Sequence, residues 1–218
     1  MLQRFLNNKW TKRVLFLACL GPASVLLWKG FHNDLTANPI EKITHFTGDW
    51  TIYFLLTTLT ITPLRKLVPP LNLIRFRRMF GLFAFFYACL HFSTYLVLDH
   101  FFDFARIVDD IAERPFVTVG FTGFVLLIPL AITSTAGMIR RLGGRRWNLL
   151  HRLIYVTAVC GVIHYYWLVK SDVRLPLLYG GILAILFLVR IVFWLRARQS
   201  KPARSPAPTA AKSAPERA

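Results

Sequence analysis

Six apolar stretches, each near the length needed to cross a bilayer and each ended by charged or turn residues, constrain this chain more than any other feature. They occupy residues 14–28, 44–64, 79–98, 116–134, 147–169 and 175–195. A helix rises about 1.5 Å per residue, so about 20 apolar residues span a hydrocarbon core of about 30 Å. Of the 218 residues, 55% are hydrophobic and only 17% charged, too few to cover a soluble globule of this size. Cys19, Cys89 and Cys160 each lie inside an apolar run, which excludes a secreted disulfide scaffold. The expected fold class is all-α, a polytopic membrane bundle of six transmembrane helices.

The net charge of +17 would point to nucleic acid in a soluble protein. Here its distribution excludes that reading. Nineteen of the 27 Lys and Arg residues lie in the N-terminus, 65–78, 140–146 and the stretch from Arg196 onward, whereas the alternate loops carry six. Five of the ten acids (Asp99, Asp103, Asp109, Asp110 and Glu113) lie in one of those alternate loops. The positive-inside rule then puts both termini in the cytoplasm and turns the basic charge toward anionic membrane lipid. Arg4, Lys9, Lys12 and Arg13 before the first run also fit a secretory signal peptide, although no clear small-residue cleavage site follows. The expected organisation is a cytoplasmic segment at 1–13, a transmembrane domain at 14–196, and a disordered basic cytoplasmic tail at 197–218, rich in Pro, Ala and Ser. The acidic loop 99–114 includes Phe101, Phe102, Phe104, Ile107 and Ile111, compatible with a short helix on the outer membrane surface or with a solvated connector.

Polar groups inside a bilayer are costly unless paired or ligated, so the histidines are informative. His32 and His100 fall in predicted loops and His45 at the mouth of the second run, where interfacial or merely satisfied roles are expected. His91 precedes the outer end of the third run by about 10 Å and His164 that of the fifth by about 8 Å, so the two imidazoles share one depth. His151 lies about 20 Å lower, near the cytoplasmic face. Two neutral imidazoles at one level on neighbouring helices suit axial ligation of a haem iron, and without a CxxCH motif the haem would be b-type. Gly81, Gly120, Gly123 and Gly161 offer close approach, and Phe83, Phe86, Tyr87, Phe92 and Tyr165 offer aromatic walls, each with ordinary packing as the alternative. Fourteen residues return a helix nearly to its starting face, which aligns Arg77 with His91; thirteen do not. His151 and His164 therefore face one partner only if their helix bends, and Gly161 is a plausible place.

The segments HFTGDW (45–50), LLTTLTITPLRKL (55–67), IRFRRMFGLFAFFYACLHFSTY (74–95), RPFVTVGFTGF (114–124), LAITSTAGMIRRLGGRRWNLLHRLIYV (130–156) and IHYYWLVK (163–170) carry a resemblance. In their order they strongly resemble the ferric reductase-like transmembrane family, specifically the haem-binding membrane subunits of bacterial periplasmic methionine sulfoxide reductases.

The resemblance implies that His91 and His164 ligate an outer haem b and that His151 serves an inner one. The family pattern of two histidines on each of two helices is broken at Arg77, which stands where a fourth histidine is expected. Arg77 is then either a propionate partner or part of the inner site. The resemblance further implies a subunit of the bacterial inner membrane without substrate chemistry of its own. Its electrons would come from a membrane quinone or a cytosolic flavin reductase, with FMN as a further cofactor, and would leave to a periplasmic molybdopterin-containing subunit. Arg75, Arg77, Arg78, Arg140, Arg141, Arg145 and Arg146 offer contacts for a phosphate or acidic partner, or act only as topology determinants. A different class of function, a metal or proton transporter using His91, His151 and His164, is the alternative.

Overall fold

A computed structural model describes residues 6, 8–69, 73–169 and 171–199. Each of the six apolar runs contains the body of a helix: α1 (Lys9–Phe31), α2 (Pro39–Leu67), α3 (Ile74–Thr94), α5 (Pro115–Ile132), α8 (Leu153–Leu168) and α9 (Arg174–Gln199). The acidic loop folds into α4 (Phe104–Glu113), and two short helices, α6 (Ala136–Leu142) and α7 (Gly144–Leu150), link α5 to α8. No strand occurs among the described residues.

Local chemistry sets the helix starts. Asn8, Asn38, Asp103 and Thr135 cap α1, α2, α4 and α6 through their side-chain oxygens, and prolines occupy the first positions of α2 and α5. α3 passes into a π-helical turn at Tyr95–Asp99. The helix ending in that turn, together with α1, α5 and α9, is long and apolar enough to cross a membrane. Large apolar side chains line the outside of the bundle, with Leu17, Ile185 and Leu188 at least 60% exposed, as expected where lipid rather than water is the neighbour.

The fifth run does not form one helix. α7 ends at Leu150, His151 and Arg152 make a turn, and α8 contributes only 16 residues. The bend expected near Gly161 therefore lies at His151 instead. The cause is a pair of side chains that reach back to the end of α5: Trp147 Nε1 donates to the Thr133 carbonyl (2.9 Å), and His151 Nε2 meets Thr133 Oγ1 (3.0 Å). α9 runs to Gln199, past the expected domain boundary at 197; the rest of the tail, like residues 1–5, lies outside the described residues.

α2 packs chiefly on α3 and α5 on α8, with α9 laid over α8 and α2. The core is apolar and aromatic. Phe54 stacks on Phe80, Phe83 and Tyr87, and Leu59, Phe76 and Ala84 are almost fully enclosed. Tyr87 also ties α1 to the bundle: its hydroxyl donates to Cys19 O (2.9 Å) and accepts from Ala23 N (3.1 Å), entering the ladder of α1 beside Pro22. A buried hydroxyl placed there satisfies both backbone groups of an opened helical turn.

Candidate cofactor site between two histidines

His91 stands one turn from the C-terminal end of α3, and its Nδ1 lies 2.9 Å from the carbonyl of Thr44 on α2. His164 on α8 repeats the device, with Nδ1 2.7 Å from the carbonyl of Phe116 on α5. A carbonyl only accepts, so each ring carries its proton on Nδ1 and keeps the Nε2 lone pair for a ligand. Metal-binding histidines are commonly oriented by such a bond.

Four residues after each acceptor carbonyl stands a glycine. A Cβ on Gly48 would lie 3.2 Å from His91, and one on Gly120 only 2.6 Å from His164 Nδ1. The two imidazoles thus lie against helix faces that glycine has cleared. Gly120 is legible from sequence as a small residue that offers close approach; Gly48, inside HFTGDW, carries no such mark of its own. Its signal was the spacing of four from Thr44, which becomes meaningful only once α2 is known to face His91.

The ring centroids are 6.0 Å apart, with the planes inclined at 78°. Iron bound to two imidazoles at about 2 Å each holds the ring centres about 6 Å apart, so the separation fits a bis-histidine centre. Both rings line a cavity of about 540 Å³ whose walls include Phe92, Phe124, Leu127 and Tyr165. Its size and apolar lining suit a large planar cofactor.

Of the five aromatics that the sequence leaves open between cavity wall and ordinary packing, Phe92 and Tyr165 line the cavity. The other three do not. Phe83 and Tyr87 belong to the core between α1, α2 and α3, and Phe86 faces outward. Gly120, Gly123 and Gly161 border the cavity, whereas Gly81 faces Thr58. Asp110 closes the end near α4: the buried carboxylate binds Arg114 (2.8 Å) and Tyr95 (2.9 Å), with His100 3.6 Å away. His100 is thus a satisfied histidine. His32 likewise bonds to Trp28 O of its own helix, while His45 lines the cavity beside Asp49.

His151 is not among the cavity residues. It stacks on Trp147 (centroids 3.9 Å apart), and the charge of Arg77 reaches it. Among the described residues no group of three His, Cys, Asp or Glu side chains is arranged to hold a metal ion by itself. The three histidines of the transporter alternative therefore do not converge, and the pair that does is suited to a ligand that brings its own equatorial donors.

Paired histidines at one level of an apolar helical bundle define a membrane protein built around a cofactor site. The chain belongs to the ferric reductase-like transmembrane component family, which it matches over residues 47–162, and within it to the MsrQ proteins. Relatives named protein-methionine-sulfoxide reductase heme-binding subunit MsrQ occur in Herminiimonas arsenicoxydans, Rhodospirillum rubrum and Caulobacter vibrioides. The first is 57% identical, covering 87% of this chain and 88% of its own length. The second is 50% identical (88% and 92% covered) and the third 46% identical (82% and 85%). No solved structure matches.

Proposed function

We propose that this chain is a b-type haem electron-transfer subunit. It would carry electrons across the bacterial inner membrane, from quinone or a cytosolic flavin donor, to a periplasmic molybdopterin-containing methionine sulfoxide reductase subunit, MsrP. The observation that carries the reading is the matched pair of histidines, each with Nδ1 on a carbonyl and Nε2 left for iron. The name shared by the relatives, heme-binding subunit, supports the choice of cofactor.

His91 and His164 would hold the haem iron through Nε2. When bound, haem takes up and gives back one electron at a time. The carbonyls of Thr44 and Phe116 fix the orientation and tautomer of the two rings, and low-dielectric walls such as Phe124 and Leu127 keep water from them. Both termini are assigned to the cytoplasm, with α1, α2, α3, α5, α8 and α9 as the six spans; His91, His164 and α4 then lie toward the periplasm. The chain needs no substrate site of its own, because methionine sulfoxide would be reduced on the partner.

The test is a dithionite-reduced minus oxidised spectrum of the purified protein, with His91→Ala and His164→Ala beside it. Wild type shows a low-spin b-type signal, and each variant inserts in the membrane but loses most of it. Undiminished haem in both variants would exclude the pair as ligands.

A further inference from the structure

Of the ten acidic residues, Asp49 is the only one inside any of the six apolar runs. It lines the histidine cavity, and among the described residues no lysine or arginine forms an ion pair with it. Its hydrogen-bond partner is the hydroxyl of Tyr165, the residue after His164. Asp49 stands five residues from Thr44, where its run begins, and His164 five from Val169, where its own run ends, so both lie about 8 Å below the same face. An uncharged amide would accept from Tyr165 equally well. A carboxyl group kept at this depth without a fixed counter-charge is costly, and its use lies in the charge it can gain or lose.

A route to water runs along the same helix. Glu41, His45 and Asp49 are spaced four residues apart, so their side chains follow one another down one face of α2. His45 Nε2 lies 4.0 Å from Glu41 Oε1, and the two side chains are 41% and 63% exposed. His45 also lines the cavity, where its charge reaches Asp49. Imidazole exchanges protons readily near neutral pH, so the ladder leads from solvent at Glu41 to the cavity wall at Asp49. The other groups around Asp49 are engaged elsewhere or stay at the surface. Lys42 on α2 is exposed, Tyr53 bonds Tyr179 of α9, and Asp172 pairs with Arg174. Across the cavity Asp99, His100 and Arg114 belong to the cluster around Asp110. His91 and His164 hold their protons on the carbonyls of Thr44 and Phe116.

We propose that Asp49 binds one proton when the haem in this cavity is reduced and gives it up when the haem is reoxidised, with His45 and Glu41 carrying the proton to and from the outer aqueous surface. The assignment rests on reading the chain as a haem electron carrier. An electron added inside a low-dielectric bundle places a negative charge near the carboxylate and favours its protonated form; the proton taken up cancels that charge. The balance is one for one. As iron(III) becomes iron(II), one O–H bond forms on Asp49 from a proton of the outer water. As the electron leaves, that bond breaks and the proton returns to the same side. Reduction of a sulfoxide to a sulfide and water consumes two electrons and two protons, so the carrier releases both in the ratio its acceptor requires.

The experiment uses the full haem-loaded chain in nanodiscs, with equilibrium redox titrations from mildly acidic to mildly alkaline pH and reduced-minus-oxidised infrared spectra. In wild type the midpoint potential falls as pH rises, toward the one-proton limit of a tenfold change in equilibrium constant, about 59 mV, per pH unit. The reduced protein gains a carboxylic-acid C=O band that shifts when the aspartate carboxyl carbons are labelled with carbon-13. Asp49→Asn keeps the side-chain volume and an acceptor for Tyr165; it should lose the band and at least about half of the slope. His45→Gln should keep slope and band but slow proton uptake after flash reduction, read with a pH-indicator dye, by at least about tenfold. A slope undiminished in Asp49→Asn, or a band that aspartate labelling does not shift, overturns the proposal and assigns the proton to a haem propionate or a histidine. Loss of the slope in His45→Gln makes His45 the titrating group and overturns it too, and unslowed uptake in that variant overturns the route. A wild type without haem removes the reading beneath the proposal, whereas haem with a pH-independent potential removes the proposal alone.

Discussion

Arg190 of α9 donates to the carbonyl of Leu59 on α2, the carbonyl left without a helical partner because Pro63, four residues on, has no N–H. The guanidinium also bonds to Leu186 O and lies over the Tyr155 ring, 5.4 Å from its centroid. An arginine deep in an apolar bundle is ordinarily a liability. Here it answers a backbone acceptor that proline has released.

Arg190→Met should therefore destabilise the protein by about 1–3 kcal/mol, the cost of an orphaned buried acceptor. In a Pro63→Ala background Leu59 regains its own helical partner, and the same substitution should cost distinctly less. Thermal unfolding in detergent micelles of the two single variants and the double variant measures the coupling. Additive effects would exclude the capping role.

Gly120→Ala is expected to be more damaging than Gly48→Ala. The new Cβ at position 120 would come within 2.6 Å of His164 Nδ1 and displace the bond to Phe116, whereas at position 48 the approach to His91 is 3.2 Å, relieved by a shift of a few tenths of an ångström. Haem per protein after purification should fall about tenfold in Gly120→Ala, about 1.4 kcal/mol of binding free energy, and stay near wild type in Gly48→Ala. The reverse order would mean that His164 is free to move.

Topology has a direct readout. A phosphatase fused after Ala218 should be inactive, and one inserted in the loop before α4, at Asp103, should be active, given nineteen basic residues on one set of flanks and six on the other. An active C-terminal fusion would invert the assignment and move the histidine pair to the cytoplasmic side.

The bundle and the histidine pair were legible because both depend on distances along a helix. Apolar run length located the helices, and a rise of about 1.5 Å per residue placed His91 and His164 at one depth, where their rings lie 6.0 Å apart. Depth says nothing about azimuth. The sequence therefore leaves Phe83 and Tyr87 open between cavity wall and ordinary packing, which the structure decides for packing on the α1 side of α3, and nothing in it marks Gly48 as facing His91. The break at His151 was hidden for another reason: it is made by Trp147 and His151 reaching Thr133, a contact between elements that periodicity within either one does not record.

Through that contact His151 pins the end of α5 to the start of α8, and its imidazole is also placed to take part in electron uptake from the cytoplasmic side. The two roles separate cleanly. Thr133→Val removes the hydrogen bond to Nε2 while leaving the imidazole, the Trp147 stack and Arg77 in place; His151→Ala removes the ring. His151 is not a cavity residue, so His151→Ala should retain the haem held by His91 and His164, and dithionite should still reduce it. Reduction by quinol or reduced flavin should nevertheless slow by at least about tenfold, about 1.4 kcal/mol of added barrier, whereas Thr133→Val should slow it by less than about threefold. Stopped-flow haem reduction with each donor gives both numbers. Equal slowing in the two variants would reduce His151 to a pin between helices, and unchanged rates in His151→Ala would remove it from the electron path altogether.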